Sequence, residues 1–374
     1  MKSKAIVYPF DVQFEPVLRY RKLIEQYDIV GAVSPESWGL SGNDAAHKSG
    51  GSHIGVNVDC NFEQSLDLCD TVIFSDAATI FDFQKLIYPK IISAIKREKN
   101  IVLLYDIAVE IENEIKQKCE EIGKQFICYN SRNKFQYLDE YAAFQENIYD
   151  IGVPVVFVIG MCERTGKFET QLAMRDSLLN LGYKVSQIGT RSYCELLGFH
   201  SFPEFMFSTN IGETSKIVLF NRYVKEIEYK EKPDIIIIGL PGGIMPFNNY
   251  FTNKFGIIPF EVSQAVTPDA AILCTLYDDY KPDYFQMTSR SIRYKLGFEV
   301  DCFNLSNVMF DWMSAYERKK VEYTTVTSNF IDQKKLRFTN LNMPVYNILN
   351  SEDVNKMAEY IIDRLSNYGN ARYI

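Results

Sequence analysis

Val155-Val-Phe-Val-Ile-Gly160-Met-Cys-Glu-Arg-Thr-Gly166-Lys167-Phe-Glu-Thr170 is the stretch on which the fold of the second half of this chain turns. The apolar run that ends at Gly160 is long enough for a strand buried on both faces. From Phe168 to Leu181 the apolar residues Leu172, Leu178, Leu179 and Leu181 are interleaved with polar ones, as in an amphipathic helix. Strand, glycine turn and helix in that order aim unpaired backbone N–H groups and the positive end of the helix dipole at one point, where a phosphate can sit. Two glycines and a lysine at fixed offsets recur by chance in roughly one chain in ten of this length, so the context counts for more than the pattern. The spacing is that of a phosphate-binding loop, with Gly160 and Gly166 permitting the turn and Lys167 reaching the terminal phosphates. One residue departs from it: Phe168 stands where a Ser or Thr hydroxyl ordinarily ligates magnesium. Glu169 and Thr170 are the nearest substitutes for the metal. The plainer alternative is a tight strand-to-helix turn with a solvated lysine.

Working outward, 374 residues with 47% hydrophobic and 24% charged side chains provide for folded cores and two domains. A net charge of −8, without a basic block or aromatic–basic alternation, excludes the electrostatic footprint of a nucleic-acid binder. The opening Met-Lys-Ser-Lys-Ala-Ile-Val-Tyr-Pro runs straight into a strand pattern, with none of the marks of a signal peptide, and no stretch has the apolar length of a membrane span. Eight cysteines without a CxxC pair, and three histidines, favour a reducing cytoplasm and argue against zinc. A homo-oligomer is compatible with all of this.

Residues 1–150 alternate strand-like runs (Lys4 to Tyr8, Tyr27 to Val33, Thr71 to Phe74, Ile101 to Tyr105, Phe126 to Tyr129) with helical patterns near 15–25, 79–98 and 107–122. That is the pattern of a Rossmann-like domain. Residues 134–150 look like a connector. In 151–374 the alternation restarts, with strands at Lys184 to Gly189, Ile235 to Leu240, Ala270 to Tyr277 and Val300 to Leu305 and a last helix, Ser351 to Asn367, that opens on Ser351 as cap. The fold class expected is therefore α/β, with two doubly wound domains and a mostly parallel sheet in the second. In the first half the polar loop Ser34 to His53 suits a substrate or partner surface as well as it suits a mobile excursion. Asp76 and Asp106 follow strands, where ligands bind and where helix caps are also common.

Three further segments carry a resemblance when read with the loop: Gln187-Ile-Gly-Thr190-Arg191-Ser192, Lys232 to Gly243 ending Leu-Pro241-Gly242-Gly243, and Ser263 to Cys274 through Pro268-Asp269. The succession resembles the P-loop NTPase-like fold of dethiobiotin synthetase and its relatives. It is closer to a two-domain family with a Rossmann-like N-terminal domain and a C-terminal P-loop domain carrying Gly-Lys-x-x-Thr, which Gly166-Lys-Phe-Glu-Thr170 matches. With the Tyr-Pro-Phe start and the Trp38-Gly39 loop, the whole chain is most similar to the peptide maturation system proteins of clusters for ribosomally made, modified peptides such as bacteriocins. The resemblance implies ATP or GTP with Mg2+, and as partner a precursor peptide, a small acidic substrate or a radical SAM enzyme. Gly239 falls where that family usually has a glutamate, which puts hydrolysis in doubt more than nucleotide binding.

Residue by residue, Cys162, Glu163, Arg164, Thr165, Gly166, Lys167 and Phe168 would cradle the phosphates, and Gly242 and Gly243 would let backbone approach the ligand. Arg191 is a second cation for a terminal phosphate or acidic substrate, or else a surface ion pair. Asp278 and Asp279 are the remaining acids for magnesium or for orienting a nucleophile, though an Asp-Asp turn needs no function. A thiol at Cys162 could have a lowered pKa among anion-seeking amides, but no neighbouring His supports a nucleophile–base pair. Three functions are open at this level: ATP- or GTP-dependent phosphoryl transfer that activates a carboxylate or amide, a non-catalytic nucleotide-dependent scaffold that delivers a peptide, and acyl transfer from coenzyme A.

Overall fold

Tertiary packing buries both faces of the apolar runs. In the computed structural model, which describes residues 2–129, 147–319 and 321–368, the chain divides into two units, Met1–Asn133 with Ser192–Ser201 and Lys134–Arg191 with Phe202–Ile374. Most of the connector expected over 134–150 lies outside the described residues.

The sheet of the first unit is built from β1 (Ser3–Tyr8), β2 (Tyr27–Val33), β3 (Val58–Asp59), β4 (Thr71–Phe74), β5 (Asn100–Leu103) and β6 (Phe126–Cys128), in the order β3-β2-β1-β4-β5-β6. All its pairs are parallel, and its core gathers Ile6, Val72, Phe74, Ile91 and Leu103. The expected helices are shorter than their patterns. α1 is only Glu15–Arg19, tightening into a 3-10 turn at Arg21–Leu23. The 79–98 pattern resolves into a π turn, Phe83–Ile87, and α2, Tyr88–Lys96, because Pro89 lacks an N–H and fits only the first turn of a helix. α3 is Val109–Glu121.

In the second unit β7 (Val155–Gly160), β8 (Val185–Gly189), β9 (Ile235–Gly239), β10 (Ala270–Thr275), β11 (Cys302–Leu305) and β12 (Val345–Tyr346) belong to a seven-stranded sheet and run β12-β11-β10-β7-β9-β8. They too are parallel throughout. A parallel sheet needs helical crossovers, which cover both faces and explain why β7, β9 and β10 read as unbroken apolar runs rather than alternating ones. The longest helices are α4 (Lys167–Asn180), α5 (Glu213–Glu231), α6 (Ile257–Ala265), α7 (Pro282–Leu296) and α8 (Ser351–Tyr368), with shorter ones at Trp312–Arg318 and Ser328–Lys335. The cap of α8 is Asn350, not Ser351: the Asn350 side chain accepts from the Glu352 amide at 3.0 Å. An antiparallel pair, Val308–Phe310 with Tyr323–Thr325, was not foreseen. Among the described residues no helix is long and apolar enough to cross a membrane.

Phe157, fully buried on β7, meets Phe298 edge-on at 5.4 Å. Its replacement by alanine is expected to cost about 3–5 kcal/mol in chemical denaturation, whereas a loss below about 1 kcal/mol would contradict this packing. Glu261 on α6 is 2% exposed, and neither carboxylate oxygen has a partner. Burial pushes its pKa up, against the pull of Lys216 and with the added push of Glu213. A carboxyl raised above its unfolded value costs stability when ionised, and the cost fades as pH falls through the folded value. Glu261→Gln is therefore expected to raise Tm near pH 7, with the gain shrinking toward about pH 4.5. An equal gain at both would show that the carboxyl is not strained.

Candidate functional site

The sheet of the second unit reverses direction about β7: β8 and β9 lie on one side, β10 to β12 on the other. Ligands of open α/β sheets bind at the carboxyl ends of the strands where this reversal occurs. Gly160 is the last residue of β7, and a Cβ there would stand 2.5 Å from Thr165 Oγ1 and 2.7 Å from Lys167 Cδ, so only glycine fits. The turn that follows is tied to the sheet at its start, where Met161 N donates to Cys274 O at 3.0 Å. Beyond that, among the described residues, the amides of Cys162 to Gly166 donate to no backbone carbonyl. Arg164 and Gly166 take left-handed backbone, with φ of 60° and 75°, and Thr165 Oγ1 donates to Cys162 O at 3.2 Å. The geometry is a concave run of N–H groups at the head of α4, which favours an anion.

Lys167, the first residue of α4, is 6% exposed and far from the solvated side chain of the plainer alternative. Its Nζ donates to the Gly242 carbonyl and lies 3.6 Å from Glu163 Oε2. Burial pushes its pKa down, opposed by Glu163 and by the nearby thiols of Cys162 and Cys274. Gly243 packs so tightly on the turn that a Cβ would come within 2.6 Å of Met161 O, while Gly242 takes a φ of 79°. The Pro-Gly-Gly segment thus brings backbone close to the turn.

Phe168 is buried, and the Arg191 guanidinium lies over its ring at 5.7 Å. The residue that departs from the phosphate-loop pattern is thus a platform that holds a second cation beside the first turn of α4. Thr170 Oγ1 donates to Gly166 O at 2.8 Å and sits 3.3 Å from Cys274 Sγ. Glu169 Oε2 lies close to Gly166, 3.3 Å from where a Cβ would stand. Among the described residues no group of three or more His, Cys, Asp or Glu is arranged to hold a metal ion. Asp279 is bound at the surface, to Arg337 at 2.7 Å and Lys334 at 3.4 Å, and these cations hold its carboxyl below the usual range. Asp278 accepts from Trp312 Nε1 at 3.4 Å.

Three buried amides escaped the sequence reading. Gly239, where a glutamate was expected, ends β9, and its missing side chain makes room for Gln171: a Cβ would lie 2.2 Å from the Gln171 amide. Gln171 and Gln187 are fully buried with both polar atoms unpaired, and Asn304 Nδ2, beside Gly166, has no hydrogen-bond partner either. Gln171 falls four residues after Lys167 on the same helix face, a spacing that could have flagged it.

Across the full chain the structure is similar to the crystal structure of a DUF1611 family protein from Anabaena variabilis, with a TM-score of 0.58 and 12% identity over 98% of this chain and 100% of that one. Partial likenesses link it to an amine dehydrogenase from Mycobacterium smegmatis, at TM-score 0.28 and 16% identity over 47% of this chain and 52% of that one. Another is a scyllo-inositol dehydrogenase from Lactobacillus casei with bound NAD(H) and scyllo-inositol, at 0.26 and 17% over 43% and 46%. No protein-family model matches the sequence, and no curated protein matches it. At 12% identity the full-length likeness speaks for a shared α/β fold alone. The resemblance to dethiobiotin synthetase-like P-loop NTPases and to peptide maturation system proteins is corrected by the full-length comparison, whose counterpart is a DUF1611 family protein. The function drawn from that resemblance, an ATP- or GTP-dependent peptide-maturation protein with its scaffold and acyltransferase variants, falls with it. The physical reason is that strand, glycine turn and helix are a local arrangement common to many parallel sheets, so the motif specifies a turn and not a family.

The Cys162 thiol is not lowered among these amides: burial pushes it up to about 12, and Lys167 only partly offsets this. Cys274 is pushed up to about 11 for the same reason. Thiol labelling read by mass spectrometry should therefore modify exposed Cys60 first and leave Cys162 and Cys274 untouched until the protein is denatured. Rapid labelling of Cys162 in the folded protein would reverse that assignment.

Proposed function

We propose that the second unit binds a phosphate-bearing small molecule at the turn from Gly160 to Lys167. The observation that carries this reading is an ammonium sealed at the head of α4 beside a run of backbone amides that no carbonyl satisfies. A buried cation and a row of unpaired donors both cost free energy, and one anion in the turn offsets both. Lys167 meets the phosphate, the amides of Cys162 to Gly166 cradle it, and Arg191 on its Phe168 platform supplies further positive charge. Gly242 and Gly243 let the backbone close on the ligand. ATP, GTP and coenzyme A all carry the required phosphoanhydride and serve as probes, and a divalent ion arriving with the ligand would meet Glu169.

Without ligand, Glu163 holds the place of the anion. It is largely exposed, so its pairing with Lys167 is worth only about 0.2–1 kcal/mol and yields readily to a better-placed charge.

Lys167→Ala is expected to abolish binding of inorganic pyrophosphate and of the three probes in calorimetry, and unchanged affinity would sink the proposal. Glu163→Gln should act the other way, tightening pyrophosphate binding by a factor of up to about five. A weaker complex in that variant would mean that Glu163 helps the ligand rather than competes with it.

A further inference from the structure

The first unit has the strand order β3-β2-β1-β4-β5-β6, in which a dinucleotide would lie across the carboxyl ends of β1 and β4. Binding there needs a glycine turn after β1, free amides at the start of a following helix, and an acid at the end of β2 for the ribose. The glycine turn and the acid are absent, and two amides of the turn are already bound. Residues 2–30 contain no glycine, and the turn after β1 reads Pro9-Phe10-Asp11-Val12-Gln13-Phe14-Glu15-Pro16. Phe10 and Phe14 are buried where backbone would have to approach a pyrophosphate. Their amides are spent: Phe10 N donates to Val33 O at 2.7 Å, and Phe14 N to the Asp11 backbone and carboxylate, each at 3.1 Å. Pro9 and Pro16 have no N–H to give. The helix is five residues long, too short for a useful dipole. β2 ends at Val33, followed by Ser34 rather than an acid.

In place of a ligand the unit holds its own carboxylate. Glu15, at the first position of α1, is fully buried, and its Oε1 accepts from Arg19 Nη2 at 2.5 Å. The same guanidinium reaches the loop between β2 and β3: Arg19 Nη1 donates to Ser52 Oγ and Nη2 to Ser52 O, each at 3.1 Å. Gly51 makes room for it, since a Cβ would stand 2.4 Å from Arg19 Nη2. Asp44 folds the rest of the loop inward by accepting from the amides of Ala46, Ile54 and Gly55 at 2.9, 3.2 and 2.8 Å. Trp38, at its start, stacks on Phe81 at 5.4 Å.

We infer that the first unit is a Rossmann frame that does not bind NAD(H) or NADP(H), and that the Glu15–Arg19 pair occupying the pyrophosphate position serves as the tether of the 34–57 loop. A pyrophosphate entering there would meet two carboxylates, Asp11 and Glu15, and would have to displace the guanidinium that orders the loop. The inference stands apart from the anion site of the second unit.

Two measurements test it. In full-length protein carrying Lys167→Ala, which removes the phosphate cation of the second unit, titration with NADH and NADPH followed by cofactor fluorescence should show no saturation up to about 1 mM. Saturable binding in that variant would overturn the inference, whatever the fate of the second unit's site. Hydrogen exchange tests the tether. Arg19→Ala, and the double variant Glu15→Gln with Arg19→Ala that leaves no unpaired buried charge, should exchange the amides of residues 46–55 about tenfold faster or more. Those of β1 and β4 should be unaffected. Unchanged exchange in the loop of the double variant would remove the tether from the proposal.

Discussion

A lysine ammonium that is 6% exposed at the end of a central parallel strand is the constraint around which the second unit is arranged. An ion taken out of water must find charge and hydrogen bonds nearby. Lys167 finds the Gly242 carbonyl and the Glu163 carboxylate, and each partner imposes a condition. The Gly242 contact requires the Pro-Gly-Gly segment to close on the turn, which it does only because Gly243 has no side chain to strike Met161 O. The side chain itself lies across Gly160, where any Cβ would collide with it. These glycines are consequences of where the ammonium sits.

The two units share one architecture and treat the end of their first central strand in opposite ways. In the second, β7 runs into a turn whose amides are left without backbone partners and whose helix is fourteen residues long. In the first, β1 runs into a turn packed with Phe10 and Phe14, prolines on either side, and a five-residue helix headed by a buried carboxylate. A parallel sheet offers a ligand position at the carboxyl ends of its strands. What is done with it depends on the few residues that follow the strand, and the two turns of this chain show both outcomes.

Much of the secondary structure was legible because its signal is local. β2, β4 and β7 begin and end where their apolar runs do, and α3, α4 and α8 fall within two residues of their periodic patterns. Pairing is what sequence patterns conceal: the two-residue strands β3 and β12 exist only because a neighbour offers its edge. The site was half legible. Lys167, Gly160 and Gly166 stand out by spacing, and Phe168 stands out as a misfit, but that Phe168 carries Arg191 depends on a separate strand, Val185–Gly189, further along the chain. Gln187 and Asn304 lie on two other elements and meet no sequence pattern, while Gln171 is marked only by its place four residues after Lys167.

By itself the sequence determined an α/β chain of two parallel sheets and a glycine turn leading from a buried strand into a helix, because apolar runs and turn residues act over a few positions. The tertiary structure alone decided that Lys167 is buried rather than solvated, that the Cys162 thiol is suppressed rather than activated, and that the Rossmann frame of the first unit is filled by its own side chains. Each of those outcomes depends on how much water is excluded by residues distant in the chain. Desolvation, which sets the cost of a charge and the pKa of a thiol, is a property of the packed molecule and leaves no local mark in the sequence.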